Sequence, residues 1–359
     1  MRLLALIEKP GHVCYRYRLQ AHAQALTERN WSLQAAPLAR THREWLGQLK
    51  DVAAADAVVL QRRLLPAWWL WLLRRSAKVL IYDLDDAMFF RDSNAAKAAA
   101  SARRLRRFRA TVRLADAVTA GNGFLADKAA AHGAAHRVHR LPTCVDPALY
   151  RLARHTRRGS QTRLAWIGSK STMPSLRLAA GGLAEAGRRL AGLELRLICD
   201  CTAALPEITV APRRWSSETE AQELADADIG ISWLPDHPWS LGKCGLKVLQ
   251  YMAAGLPVVA NPIGVHREMI VDGQTGFLAE SPAAWAAAIE RLAADPALRA
   301  AMGARGRELV DRQYSASRWG TRLAALVDST ASAAVSQTPS SRWPVPAWHL
   351  RAGARRTPR

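Results

Sequence analysis

The chain has 359 residues, 49% of them hydrophobic, which exceeds one ordinary core and is enough for two. Its net charge of +21 is unevenly spread: residues 1–158 hold 28 Lys and Arg against 12 Asp and Glu, residues 159–328 hold 18 against 18, and residues 329–359 add +5. No run of about twenty apolar residues occurs, which excludes a helical membrane span, and five cysteines without framework spacing exclude a disulfide scaffold.

The apolar run Met1–Ile7 is cut off by Glu8 and is too short for a signal peptide, so a cytoplasmic location is expected. Arg2–Ile7 predicts a buried strand, Glu8–Arg18 a loop and Leu19–Arg29 a helix. A helix from about Arg43 leads to a strand at Ala57–Leu60. Leu64–Leu73 holds ten apolar residues flanked by Arg62, Arg63, Arg74 and Arg75. Trp68, Trp69 and Trp71 do not share one narrow helical stripe, so one faces outward, where an indole between arginines suits a headgroup interface; the other reading is a helix buried on the sheet.

Lys78–Phe90 places a strand before Asp83, Asp85 and Asp86. Three carboxylates at a strand end mark a contact to an acceptor hydroxyl, a general base or a helix cap. Residues 95–114 form a basic amphipathic helix, with Arg103, Arg104, Arg106, Arg107, Arg109 and Arg113 around a stripe of Leu105, Phe108 and Val112. Such a face is solvated or lies on anionic lipid. Nucleic acid is not expected as a partner, because no matching fold motif accompanies the arginines. Asp116–Ala120 is a strand ending in Gly121-Asn122-Gly123, and the polar stretch 151–161 is a hinge.

The second half opens with a strand at Arg163–Ile167, then Gly168, Ser169, Lys170, Ser171 and Thr172 before a helix. A strand, a glycine and hydroxyl-rich turn, then a helix is a phosphate-cradling arrangement. Further strands are predicted at Leu193–Asp200, near Val210 and at Asp228–Trp233, with a helix over Trp215–Asp226. Cys199 and Cys201 make a poor zinc pattern, and no metal site is expected. Helices follow at Trp285–Ala294, Pro296–Tyr314 and Ser315–Val327; the acid-free tail from Ser329 is expected to be disordered.

The most informative stretch is Pro238–Glu280. A helix over about Lys243–Ala254 would project Lys243, Lys247 and Gln250 from one face near its start, where the helix dipole and free N–H groups favour an anion. Gly255 ends it, and Pro257–Ala260 reads as a buried strand entering the loop 261–268.

This stretch resembles the donor-binding segment of glycosyltransferase family 4 (group 1), whose fold is GT-B. In that family a Glu, seven residues and a second Glu precede "AMA.G.PVVA"; here Gly242 and Gln250 occupy the two Glu positions. Lys247–Ala253, KVLQYMA, is nearer to a "K..EYMA" variant. The resemblance implies an α/β architecture of two facing Rossmann-like domains: an acceptor-side domain 1–150, the hinge, a nucleotide-sugar domain 162–312, a helix 313–328 crossing back, and the basic tail 329–359. It implies Lys243, Lys247 and Asp85 as catalytic, and Gly168, Ser169, Lys170, Gln250, Gly264 and His266 as donor-binding. Arg16, Arg18, Asp83, Asp86 and Asn122 then belong to the acceptor side.

The implied activity moves a sugar from a nucleotide-sugar donor to a glycan or lipid-linked acceptor of the cell envelope, with retention, without metal or other cofactor, and with possible contact to an anionic membrane. A nucleotide-sugar epimerase and a non-catalytic protein binding anionic lipid or nucleic acid remain open.

Overall fold

The computed structural model describes residues 1–133 and 135–336. Twelve short strands form two six-stranded parallel sheets. The first contains β1 (Arg2–Ile7), β2 (Ser32–Pro37), β3 (Ala57–Gln61), β4 (Leu80–Leu84), β5 (Ala117–Ala120) and β6 (Val138–Arg140) in the order β2-β1-β3-β4-β5-β6. The second contains β7 (Arg163–Ile167), β8 (Glu194–Cys199), β9 (Thr209–Arg214), β10 (Ile229–Ser232), β11 (Val258–Ala260) and β12 (Gly276–Leu278) in the order β12-β11-β10-β7-β8-β9. Strands such as LLALI and AVVL read as continuous apolar runs because helices cover both faces of a parallel sheet.

Helices α1 (Val13–Arg18), α2 (Ala23–Thr27), α3 (His42–Ala54), α4 (Ala67–Ser76), α5 (Ala102–Leu114) and α6 (Gly123–Ala130) belong to the first sheet. The second has α7 (Met173–Leu178), α8 (Ala180–Arg189), α9 (Glu220–Ala225), α10 (Leu246–Ala253), α11 (His266–Met269), α12 (Pro282–Ala294) and α13 (Pro296–Leu309). Helix α14 (Ala316–Val335) returns to the first domain, where Leu323, Ala324 and Val327 join the core of Leu3, Ala5 and Ile7. Asp328 fixes it there by accepting from Arg29 at 2.9 Å and from the Trp31 indole.

Several boundaries differ from the sequence expectation for local reasons. The expected loop 8–18 contains α1, because the His12 imidazole accepts from the Cys14 N–H and starts a turn. The helix expected over Leu19–Arg29 breaks into a tight turn and α2. Ser101 caps α5, which therefore begins at Ala102. Helix α9 is confined to Glu220–Ala225, half the length expected. Helix α14 continues through residues 329–335, where the tail was expected to be disordered; the remainder of that tail, 337–359, lies outside the described residues.

Both sheets have a switch point, where connections leave to opposite faces and a crevice opens beyond the strand ends. In the second domain it lies between β7 and β10, and in the first between β1 and β3. The sequence-predicted residues gather around the former and on the carboxyl ends of β4 and β5.

Candidate functional site

The polypeptide after β7 turns sharply at Gly168. A Cβ there would fall 2.3 Å from the Trp166 ring and 2.7 Å from the Lys247 ammonium, so only glycine permits the approach. Lys247 reaches this turn from the second position of α10. Its Nζ donates to the Ile167 carbonyl at 2.7 Å and to Thr172 Oγ1 at 3.3 Å, and lies 4.1 Å from the centroid of the Trp166 indole. Among the described residues no carboxylate lies within ion-pair distance of it. Burial pushes the Lys247 ammonium down to about 7, and Lys243 adds repulsion. A cation in the first turn of a helix also opposes the dipole. Burial, that repulsion and the helix dipole act against the charge, while the Ile167 carbonyl, the Thr172 hydroxyl and the Trp166 face meet it.

Helix α10 starts at Leu246, not Lys243, because Gly245 takes φ +67° as its N-cap, a conformation that favours glycine. The two lysines therefore do not share a helical face. Lys243 sits in extended backbone before the helix, pairs with Asp86 at 3.0 Å and packs over the Trp239 ring. Its charge is already met.

Gln250 also departs from expectation. It is buried, and its amide donates to the Tyr17 hydroxyl at 3.1 Å, to the Tyr150 hydroxyl at 3.4 Å and to Glu220 at 3.4 Å. Tyr17 donates to Glu220 at 2.6 Å, and Arg16 pairs with the same carboxylate at 2.9 Å. Burial, reinforced by neighbouring negative charge, raises Tyr150 to about 12, so its phenol stays neutral. Tyr17, Tyr150, Glu220 and Gln250 thus form one buried polar cluster joining the two domains, with the half-buried Arg16 at its edge.

The cradle after β7 spends its donors on the protein. The N–H groups of Gly168, Ser169, Lys170 and Thr172 go to Ile198 O, Thr172 Oγ1, Asp200 Oδ1 and Ser169 O. The Lys170 side chain is exposed. Gly264 (φ +53°) packs against the Ser240 carbonyl. His266 is buried between Ser232 Oγ at 3.0 Å and the Asn261 carbonyl at 2.8 Å, and burial lowers it to about 4, so it is neutral.

On the first domain, Asp83 is fully buried and accepts from Arg18, Gln61 and Thr119. Arg18, equally buried, is consumed by Asp83 and the Leu141 carbonyl. Both were expected on the acceptor side; the structure buries them as an ion pair that ties α1 to β4. Arg62 holds the other two acids, at 3.4 Å from Asp85 and 2.8 Å from Asp86. Burial opposes the Asp85 charge, but Arg62 and Arg18 outweigh it and hold its carboxyl below the usual range. Burial raises Asp86. Asn122 caps α6 through Oδ1 and donates from Nδ2 to the Leu241 and Lys243 carbonyls at 3.0 and 2.9 Å, so it clamps the domains together.

The family model for glycosyl transferases group 1 matches residues 146–295. D-inositol 3-phosphate glycosyltransferase of Geodermatophilus obscurus is 34% identical over 170 residues, 46% of this chain and 34% of that protein. The protein of the same name from Streptomyces avermitilis is 37% identical over 86 residues, 23% of this chain and 18% of that protein. The chain is similar to the group 1 glycosyltransferases, and its fold is GT-B. Sucrose-phosphate synthase from Thermosynechococcus elongatus superposes with a TM-score of 0.70 at 16% identity, covering 93% of this chain and 100% of that one. Anabaena HepE in complex with UDP-glucose gives 0.68 at 14% identity, covering 92% and 100%. The matches to the two curated relatives span about a third and a fifth of those proteins.

Trp166 and Glu220 were not among the residues singled out in the sequence, Arg62 was read only as a flank of the apolar run, and Thr172 only as part of the turn after β7. Trp166 and Thr172 flank Gly168 on either side, and this was the available signal; Glu220 reads only as a helix-starting acid until α9 meets Tyr17.

Proposed function

We propose that this chain transfers a glycosyl group from a nucleotide-sugar donor to an acceptor, with the donor diphosphate seated at Lys247. The observation that carries this reading is a half-buried ammonium without a carboxylate partner, at a switch point and in the first turn of a helix. As the bond to the anomeric carbon breaks, charge accumulates on the leaving phosphate, and Lys247 stabilises that charge more than the ground state. HepE binds UDP-glucose, which supports a nucleotide sugar as donor here.

We assign retention, with the leaving phosphate taking the acceptor proton. Asp83 has no lone pair to spare, and Arg62 and Lys243 hold Asp86; Asp85, 3.4 Å from Arg62, keeps an oxygen without a hydrogen bond and is the carboxylate that an inverting reaction would have to use. Neutralisation by Lys247 calls for no divalent cation, so activity should survive chelation by EDTA. The acceptor side belongs to the basic first domain, and we place it at a cell-envelope glycan or lipid-linked precursor on the cytoplasmic face. Trp68, 43% exposed and stacked on His42, supports contact with a headgroup region. No helix among the described residues is long and apolar enough to cross a membrane.

The test is Lys247→Met, assayed for nucleoside-diphosphate binding and for donor turnover. Turnover should fall about a hundredfold or more, with the unfolding midpoint unchanged or raised. Full turnover would remove the assignment.

A further inference from the structure

Strand β8 ends at Cys199, and the chain then bends through Asp200 and Cys201 beside the turn after β7. Residues two apart at a strand end start on the same face, about 6.6 Å apart if fully extended, which is the upper end of the range that a disulfide spans. The bend brings the two sulfurs to 3.3 Å. The other three cysteines have different company. Cys14 Sγ accepts from Arg62 at 2.8 Å, and the Cys144 and Cys244 thiols donate to the Pro142 and Asp85 carbonyls, both at 3.2 Å.

Asp200 connects the sulfur pair to the turn. Its Oδ1 accepts from the Lys170 N–H at 3.1 Å and from the Cys199 thiol at 3.3 Å, while the Gly168 N–H donates to the Ile198 carbonyl at 3.0 Å. The turn that Lys247 touches through Ile167 and Thr172 is thus held by the end of β8. The Asp200 carboxylate also lies within 4.8 Å of both sulfurs, but three donors are one short of a structural zinc site. The sulfurs differ in access. Cys201 is half-buried, whereas Cys199 is 4% exposed, and burial and the Cys201 contact push its thiol up to about 12.

We propose that Cys199 and Cys201 are a covalent modification site, a dithiol that a low-molecular-weight disulfide oxidises to an internal disulfide, and that this bond loosens the turn 168–172 beside Lys247. The more accessible Cys201 thiolate attacks one sulfur of the external disulfide and expels the other half as a thiol. Cys199 then attacks Cys201 Sγ in that mixed disulfide and expels the second half. Two protein thiols are oxidised, the external disulfide is reduced, and the two protons end on the two thiols released. The second step waits on the Cys199 proton, so it quickens as pH rises. Ring closure removes the S–H that Asp200 accepts and turns the residue between the sulfurs, which draws its carboxylate from the Lys170 N–H. A lowered affinity for the donor diphosphate follows; that consequence alone rests on the glycosyl-transfer reading.

The experiment incubates the full chain and Cys201→Ser in buffers of increasing oxidised-to-reduced glutathione ratio, followed by thiol titration, peptide mass mapping and backbone hydrogen exchange. The wild type should pass from five free thiols to three, lighter by two hydrogens, with the bond inside the tryptic peptide 197–213, and dithiothreitol should reverse the change. The Lys170 amide should then exchange about tenfold faster, and the dissociation constant of whichever of UDP and GDP binds the reduced chain should rise about tenfold, the loss of one charge-assisted hydrogen bond. Cys201→Ser should keep the exchange and affinity of the reduced chain at every ratio. If that variant does not fold, Cys201→Ala replaces it, and the wild-type peptide map locates the bond without either. Five thiols at the most oxidising ratio, a lasting mixed disulfide or a bond outside 197–213 overturns the proposal. So does an oxidised chain whose turn exchanges as before, or one that binds the diphosphate as tightly as the reduced chain. If the bond and the faster exchange appear but the reduced chain binds neither nucleotide, the transferase reading fails and the modification site stands.

Discussion

If Lys247 receives the donor diphosphate, the affinity must fall as pH rises through the range where that ammonium is neutral. Burial holds its proton at about 7 in the free protein, against 10.5 for an ordinary lysine. About half of the chains carry the charge at pH 7, and about one in a hundred at pH 9. A bound diphosphate restores the proton, because an adjacent anion favours the charged form. Binding therefore takes up protons above pH 7, and the dissociation constant of a nucleoside diphosphate should rise between pH 7.5 and 9, by up to about twenty-five-fold. Starting at 7.5 avoids the last ionisation of the diphosphate itself, which strengthens binding with pH and has the opposite sign. Isothermal titration in two buffers of different ionisation heat measures the proton uptake directly. Lys247→Arg, which keeps its charge throughout, should abolish both the uptake and the slope. An affinity flat from pH 7.5 to 9 in the wild type, or a slope that survives in Lys247→Arg, would refute the placement of the diphosphate at this amine.

Two further outcomes follow from the buried polar groups. Asp83→Ala leaves Arg18 buried and uncompensated and should cost about 3–5 kcal/mol in urea unfolding, without the activity loss of Lys247→Met if enough protein stays folded. Gln250→Glu places a second carboxyl against Glu220 inside the Tyr17–Tyr150 cluster. The new carboxyl's folded pKa should be raised, so the native state binds more protons than the unfolded chain, and stability should decline as pH rises from about 4 to 7, relative to wild type, in denaturation at several pH values. A variant as stable as wild type across that range would mean the cluster is looser than its contacts indicate.

The alternating apolar strands and helices made most of both sheets legible, but not the edge strands β2 and β12, and the phosphate-binding reading of 238–280 singled out Lys247. What could not be read was which charges were already spent. Lys243 and Lys247 look equivalent in GKCGLK, yet one pairs with Asp86, 157 positions away in the chain, and the other meets no carboxylate among the described residues. The break between them is Gly245, whose left-handed backbone starts the helix two residues before Lys247. Asp83, Asp85 and Asp86 likewise form one acidic motif in sequence. Their separation into a buried partner of Arg18 and two ligands of Arg62 depends on α1 and on the turn after β3.

Those spent charges have a common location. Asp86 with Lys243, Asn122 with the Leu241 and Lys243 carbonyls, Cys244 with the Asp85 carbonyl, and Arg16 and Tyr17 with Glu220 and Gln250 all cross between the two sheets. Gly121 and Gly242 let the segments meet: a Cβ on the first would strike Cys244 Sγ at 2.3 Å, and one on the second the Ala87 backbone nitrogen at 2.5 Å. The polar groups expected to touch substrate were found holding the domains in register, because a crevice between two lobes needs the same residue types for closure as for recognition. The proposed donor site follows from the lysine that meets no carboxylate among the described residues, which distinguishes Lys247, bonded to a carbonyl and a hydroxyl, from Lys243, paired with Asp86.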